Sequence, residues 1–232
     1  MNRKIKIIRK LKSLFIKYKL SIPDSILFLC YLSQLSKWIN QTKPLKFNNK
    51  IDLYNYLIKS EKLDEIYYLE FGVSEGHSFR WWTEQIKNRD SRFFGFDTFT
   101  GLPERFGVFP KGAMSTEGEI PKLNDSRCEF IKGLFQQTLP DFLNNWVHQT
   151  NIRKVIHLDA DIYSATLFVL TTIAPFLNND DILIFDEFSV PLHEFKAYSD
   201  FIKAYYIKTE IIGTANNYLQ FAFKVKKESD ER

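Results

Sequence analysis

The sequence predicts an α/β fold, a doubly wound open sheet preceded by helices, and three observations carry that reading. Residues 153–188, RKVIHLDADIYSATLFVLTTIAPFLNNDDILIFDEF, hold two short apolar runs, 155–158 and 182–185, on either side of one helical stretch, 164–177, closed by Asn178 and Asn179. Two parallel strands joined by a crossover helix form a βαβ unit. From Ile66 onward the chain alternates strand, turn and helix in the same way, which is the rhythm of a parallel sheet covered on both faces. It closes on two strand-like runs, 210–214 and 218–225, around Asn216-Asn217, a hairpin signal.

With 232 residues, 44% apolar and 26% charged, the chain has the makeup of a soluble globular domain with an appendage. Cys30 and Cys128 are far apart and in no metal-ligand spacing, so neither a disulfide framework nor a secreted protein is indicated. The longest early apolar run, 26–32, has seven residues, far short of the roughly 18 of a membrane span. The net charge of +4 hides an asymmetry. Residues 1–20 carry eight Lys/Arg and no acid, which leaves 24 basic and 28 acidic residues, a net of −4, in the other 212. A mildly acidic body presents no nucleic-acid surface.

Taken in order, the leader at 3–20 places Ile7, Ile8, Leu11, Leu14, Phe15 and Tyr18 at helical spacing, with Lys and Arg on the other face. A basic amphipathic helix of this kind lies on an anionic membrane, binds an acidic partner, or packs its stripe on its own domain or a second subunit. Packing is the preferred reading. No uninterrupted apolar core or small-residue cleavage site marks a secretory signal. A second helix, 24–40, has Asp24 as its expected N-cap, and its apolar residues cover most of its circumference, which calls for a partner helix or subunit. A linker, 41–50, and a third helix, 51–62, lead to the sheet.

Residues 66–71 form the first strand, and Gly72 and Gly76 flank a turn into a helix, 77–87. Glycines there let the backbone turn tightly against a ligand while helix N–H groups stay available. The second strand, 92–96, delivers Asp97, 25 residues beyond Gly72, where nucleotide-binding sheets place the acid that meets ribose hydroxyls. A turn-capping aspartate is the alternative. Residues 98–127 are a long Gly/Pro-rich connection whose Phe99, Phe106 and Phe109 argue for a folded lid. There follow a strand, 128–132, a helix, 139–149, with Thr138 as cap and Pro140 in its first turn, the βαβ unit, a helix, 192–207, and the closing hairpin. The expected division is a helical segment, 1–62, a sheet domain, 63–226, and a charged tail, 227–232.

The βαβ unit brings Asp159 and Asp161 after one strand, and Asp186 and Glu187 after its neighbour, to the rim where open α/β sheets bind ligands. Converging carboxylates need a cation, a proton or a ligand hydroxyl to relieve their repulsion, and oxygen ligands suit a divalent metal. The competing reading has an Asp capping the helix and Asp186 and Glu187 facing water. His157 lies within a strand and reads as a satisfied core histidine. His193 reads either as a surface-loop histidine or as a general base near its favourable pKa.

Four stretches, LEFGVSEGHS (69–78), FFGFDTFTGLPE (93–104), IKGLFQQTLPDFL (131–143) and HLDADIYSAT through FDEF (157–188), together resemble the macrocin O-methyltransferase family of class I S-adenosylmethionine-dependent methyltransferases. The resemblance spans about residues 66–200. It implies a Rossmann-like, seven-stranded methyltransferase sheet with a reversed last strand, S-adenosylmethionine and magnesium as cofactors, and methylation of a hydroxyl on a sugar or other small diol-bearing metabolite. It also implies a homodimer. The expected location is the cytoplasm, with residues 1–20 as the candidate contact to the inner membrane surface.

Residue by residue, the resemblance implies cofactor contacts from Glu70, Gly72, Ser74, Gly76, Ser78, Asp97 and Asp159, with Ser74 where many methyltransferases have a further glycine. It implies magnesium ligation by Asp159, Asp186 and Glu187, the last departing from the Asp more usual in sugar methyltransferases. Asp161 and Tyr163 stand behind these ligands in the same motif. Asp159 is also a candidate proton acceptor, with His193 as the alternative. Two other readings stay open. One is a nucleotide- or NAD-binding Rossmann protein, which the incomplete glycine fingerprint and the paired acids count against. The other is a non-catalytic scaffold that docks a membrane or a biosynthetic complex through its leader.

Overall fold

Eight strands join into one sheet in a computed structural model that describes residues 3–146 and 152–226. The strands are β1 (Lys46–Phe47), β2 (Ile66–Phe71), β3 (Arg92–Asp97), β4 (Cys128–Lys132), β5 (Arg153–Leu158), β6 (Ile182–Phe185), β7 (Lys208–Ala215) and β8 (Gln220–Lys226). Their order across the sheet is β1-β7-β8-β6-β5-β2-β3-β4. Every pairing is parallel except those of β8 with β6 and β7. The expected seven strands with a reversed last one are present, and β1 adds an eighth at the edge, inside the stretch that composition marked as a linker.

The helices are α1 (Arg3–Lys17), α2 (Asp24–Thr42), α3 (Lys50–Ser60), α4 (His77–Gln85), α5 (Phe135–Trp146), α6 (Tyr163–Ile173) and α7 (Glu194–Ala204). The central strands β2 and β6 are buried at every position, as continuous apolar runs must be when helices cover both faces of a parallel sheet. Side chains alternate between the faces. Tyr67, Leu69, Phe71, Ile156 and Leu158 therefore join α5, α6 and α7 in one core layer. Ile66, Tyr68 and Val155 join Leu53, Tyr54 and Leu57 of α3 and Phe79 and Trp82 of α4 in the other. The same parity sends Glu70 and His157, cross-strand partners in the ladder, toward the α3/α4 layer.

Several boundaries differ from the sequence expectation for physical reasons. α5 begins at Phe135 rather than 139, because the Phe135 ring packs edge-on against Phe71 at 5.4 Å. Thr138 is thus inside the helix, where its hydroxyl donates to the Leu134 carbonyl. The last part of the predicted helix 139–149 lies outside the described residues, as does the tail, 227–232. α6 stops at Ile173 and passes into a 3₁₀ turn over Ala174–Phe176, since Pro175 lacks the N–H to continue an α-helix. α3 is capped by Asn49, whose Oδ1 accepts from the Asp52 N–H at 2.9 Å, so the linker ends in a helix signal. α2 begins at Asp24 itself, with Pro23 in the cap position.

α2 is fixed to the body by its C-terminal half. Leu35 is buried, and the Trp38 ring lies within 5.4–6.2 Å of Phe188, Phe195, Tyr198, Phe221 and Phe223. No residue of α1 is buried. Among the described residues no helix is long and apolar enough to cross a membrane.

Candidate active site

Winding of the sheet changes direction between β2 and β5, and there the strand ends splay to leave a crevice. A cavity of about 510 Å³ occupies it, lined by Gly72, Ser74, Asp97, Asp159, Asp161 and Glu187 from the strand ends. Leu102 and Met114 of the long connection, together with Phe135 and Ile162, form apolar walls, and Glu104 adds a carboxylate.

The floor begins with the glycine turn after β2. Gly72 has φ +96°, and a Cβ built on it would overlap the Asp159 carbonyl oxygen. Its N–H donates to the Phe96 carbonyl, while the Asp159 N–H donates to the Phe71 carbonyl, both at 2.9 Å. Three strand ends are thereby stitched together through a residue that has to be glycine. Ser74 takes the left-handed conformation too, at φ +49°, which accounts for the glycine expected there in related sequences. Asp97 braces the turn: its Oδ2 accepts from the Val73 and Ser74 N–H groups at 2.8 Å, and its Oδ1 from the Phe99 N–H at 2.7 Å. The turn-capping role is therefore real. A carboxylate accepts about four hydrogen bonds, so Asp97, which also lines the cavity, keeps capacity for a ligand hydroxyl.

Beyond β5 and β6 the acids form two overlapping groups that share Asp159, one of them with His157 and Asp186, whose ligand atoms also lie within 4.8 Å of one another. Oxygens of Asp159, Asp161 and Glu187 lie within 4.8 Å of one another. Neither aspartate occupies the capping position of α6, which belongs to Ile162 and has no side-chain cap bond. Asp161 adopts φ +58° to reach the group. Glu187 Oε2 is buried with no hydrogen-bond partner. Burial first, then Asp159 and Asp186, push its carboxyl up to about 10. Burial and Asp186 push Asp161 up to about 6, and Asp159 is raised well above its ordinary value by the same two causes.

Asp186 turns the other way. Its Oδ1 lies 3.4 Å from Lys50 Nζ and 3.7 Å from His157 Nε2. Burial alone would raise Asp186, but His157 and Lys50 outweigh it and hold the carboxyl at about 2. His157 is a fully buried core histidine with both ring nitrogens partnered, Nε2 by the Tyr54 hydroxyl at 3.2 Å and Nδ1 by the Tyr68 hydroxyl at 2.8 Å. Burial pulls its pKa down, yet Asp186 and Glu70 raise it to about 10. Glu70 accepts from the Tyr68 hydroxyl at 2.5 Å. An ionic chain, Lys50–Asp186–His157–Glu70, half-buried at Lys50 and buried beyond it, thus runs along one face of the sheet beside the acid trio.

Gly72, Ser74, Asp97, Asp159 and Glu187 of the sequence-derived set line the cavity, whereas Glu70, Gly76, Ser78, Asp186 and His193 are not among its lining residues. Gly76 caps α4 at φ +77°, and Ser78 is buried in that helix's first turn. His193 lies 4.8 Å edge-on from Phe106, its Nδ1 buried and without a hydrogen bond, and burial lowers its pKa. The connection over the cavity is folded, as its aromatics suggested. Leu102 and Gly112–Ala113 exchange backbone hydrogen bonds at 2.8–2.9 Å, and the Ser164 hydroxyl donates to Glu104 Oε1 at 2.7 Å, tying the lid to α6.

Three contributors escaped the sequence. Lys50 and Tyr54 come from α3, more than a hundred positions from their partners Asp186 and His157, and nothing local marks them. Glu194 is fully buried, its Oε2 accepting from the Glu187 N–H at 3.0 Å. Burial and then Glu187 hold its carboxyl well above the ordinary range. An acid in a helix's first turn was its signal, and that signal alone points to a dipole contact with solvent.

The strand order, with one reversed strand and the cavity at the switch point, defines the class: a Rossmann-like methyltransferase fold. The family described as a methyltransferase domain matches residues 69–188, just over half of the chain, and the chain belongs to that family. Among solved structures it is similar to CalS11, a calicheamicin methyltransferase, with a TM-score of 0.56 and 18% identity, over 97% of this chain and 93% of that one. It is similar to the O-methyltransferase NovP at a TM-score of 0.53 and 18% identity, covering 73% and 75%. An O-methyltransferase from Bacillus cereus in complex with SAH matches at 0.50 and 15% identity, covering 92% and 96%. A comparison with curated protein sequences finds no match.

Proposed function

We propose that the chain is an S-adenosylmethionine-dependent, magnesium-assisted O-methyltransferase acting on a hydroxyl of a sugar or other small diol-bearing metabolite. One observation carries the reading. The Asp97-braced glycine turn and the Asp159, Asp161 and Glu187 trio face a single cavity of about 510 Å³ at the switch point of a methyltransferase sheet. The resemblance to macrocin O-methyltransferases supports the sugar acceptor, and CalS11 is also described as a TDP-rhamnose 3'-O-methyltransferase.

The residues fit both groups. The cavity is largely apolar, with Asp97 positioned to accept from ribose hydroxyls. An all-oxygen trio with an unpartnered buried Glu187 Oε2 suits a hard divalent cation. The ligand set favoured here is Asp159, Asp161 and Glu187, with Asp186 engaged by Lys50 and His157. When bound, S-adenosylmethionine supplies an electrophilic methyl group and magnesium a Lewis acid that orients and acidifies a chelated hydroxyl. Asp159, which lines the cavity, is the candidate general base. Lys50 and His157 keep Asp186 ionised as a fixed charge beside it. The lid, tied down through Glu104 and Ser164, excludes water.

Calorimetric titration of S-adenosylhomocysteine, with magnesium and after chelation, tests this. Saturable binding should be lost in Asp97→Ala, and a separate magnesium heat should be lost in Glu187→Gln. Absence of any S-adenosylhomocysteine binding to the unaltered chain would sink the reading.

A further inference from the structure

We propose that α1 and the N-terminal half of α2 form a docking face for an anionic lipid bilayer. Every residue from 3 to 20 is exposed, including Ile7, Ile8, Leu11, Leu14 and Phe15, which recur on one face at three- and four-residue spacing. Residues 1–20 carry eight Lys/Arg and no acid, against a net of −4 in the remainder. The apolar surface continues into α2 at Ile26, Leu27, Phe28, Leu29 and Leu32, all exposed.

Four of these, 26–29, are consecutive, and at 100° per residue they point nearly all the way around the helix. A helix lying in a bilayer interface buries its apolar residues among headgroups and acyl chains and leaves its charged face in water. Charge decides between occupants. A second copy would bring another eight uncompensated cations against the first, while an anionic headgroup layer neutralises them and takes up the apolar stripe. Leu35, Trp38 and Ile39 of α2 are packed into the core, so the face is carried on the helix that is anchored to the catalytic body.

Co-sedimentation of the full chain with vesicles of phosphatidylcholine, alone or mixed with phosphatidylglycerol, tests the proposal. Binding is expected only with phosphatidylglycerol, falling at least about tenfold from low to high salt. The triple variant Lys6→Glu, Lys10→Glu, Lys12→Glu and the double variant Leu11→Asp, Phe15→Asp should each lower it by a similar factor. Because no residue of α1 is buried, both variants should keep the unaltered unfolding midpoint by circular dichroism. Equal binding by the unaltered chain and both variants overturns the proposal. So does absence of vesicle binding, and a dimer in analytical ultracentrifugation that the Leu11→Asp, Phe15→Asp variant dissociates would then assign the face to a second copy.

Discussion

Gly72 and Ser74 sit in one turn, both with positive φ, and respond oppositely to substitution. A methyl at Gly72 meets the carbonyl of Asp159, a backbone atom that cannot swing aside. Gly72→Ala should therefore cost about 3 kcal/mol or more in chemical denaturation, and weaken S-adenosylhomocysteine binding by distorting two strand ends. Ser74→Gly relieves a left-handed strain of about 1–2 kcal/mol, offset by the extra freedom glycine has when unfolded, and should leave stability within about 1 kcal/mol. A Gly72→Ala protein as stable as the parent would show that β2 and β5 are not stitched at this point. These residues were legible because each lies just beyond a short apolar run, where chain geometry alone sets the rim. Asp159, Asp161 and Glu187 were legible for the same reason. Which acids face each other was not. Asp159 is shared between Asp161 and Glu187 on one side and His157 and Asp186 on the other, and Lys50, which pairs with Asp186, is brought in by a helix remote in sequence.

At the scale of elements, α2 is two different surfaces on one helix. Trp38 is enclosed by five aromatic rings from the β6–α7 turn, α7 and β8, whereas Phe28, nearly three turns earlier, is 43% exposed. Trp38→Ala should cost about 2–3 kcal/mol, less than a fully buried tryptophan because the ring is half-buried, while Phe28→Ala should stay within about 0.5 kcal/mol. Equal losses in thermal unfolding would mean that the N-terminal half of α2 is also packed on the body. Periodicity located this helix but not its anchor, since both halves are apolar. The same limit hid β1, whose two residues carry no alternation to detect and which exists because β7 offers an open edge. Elements with a strong local pattern, β2, β5, β6 and the closing hairpin, were placed within a few residues. Boundaries set by tertiary contacts, such as the start of α5 under Phe71, were missed.

For the whole molecule, the crowded acids make stability fall as pH rises. An acid whose folded pKa exceeds its ordinary value binds more protons folded than unfolded, so stability declines between the two values. Glu187 acts between 4.5 and about 10, and Asp161 between 3.8 and about 6. His157 works in the same direction: its folded pKa of about 10 against an ordinary 6.5 gives stability fully present below 6.5 and lost by about 10. Asp186, held at about 2 against an ordinary 3.8, opposes them only in strong acid. In chelator, the midpoint of thermal unfolding should therefore be lower at pH 9 than at pH 6. Under the proposed function magnesium takes the place of the protons on the trio, so adding it should raise the midpoint more at pH 9 than at pH 6. Glu187→Gln removes one titrating acid and one oxygen ligand, and should flatten the pH dependence in chelator while weakening the magnesium response. A midpoint that rises from pH 6 to pH 9 in chelator would mean that the acids are already relieved by groups other than protons, and the metal reading would lose its electrostatic basis.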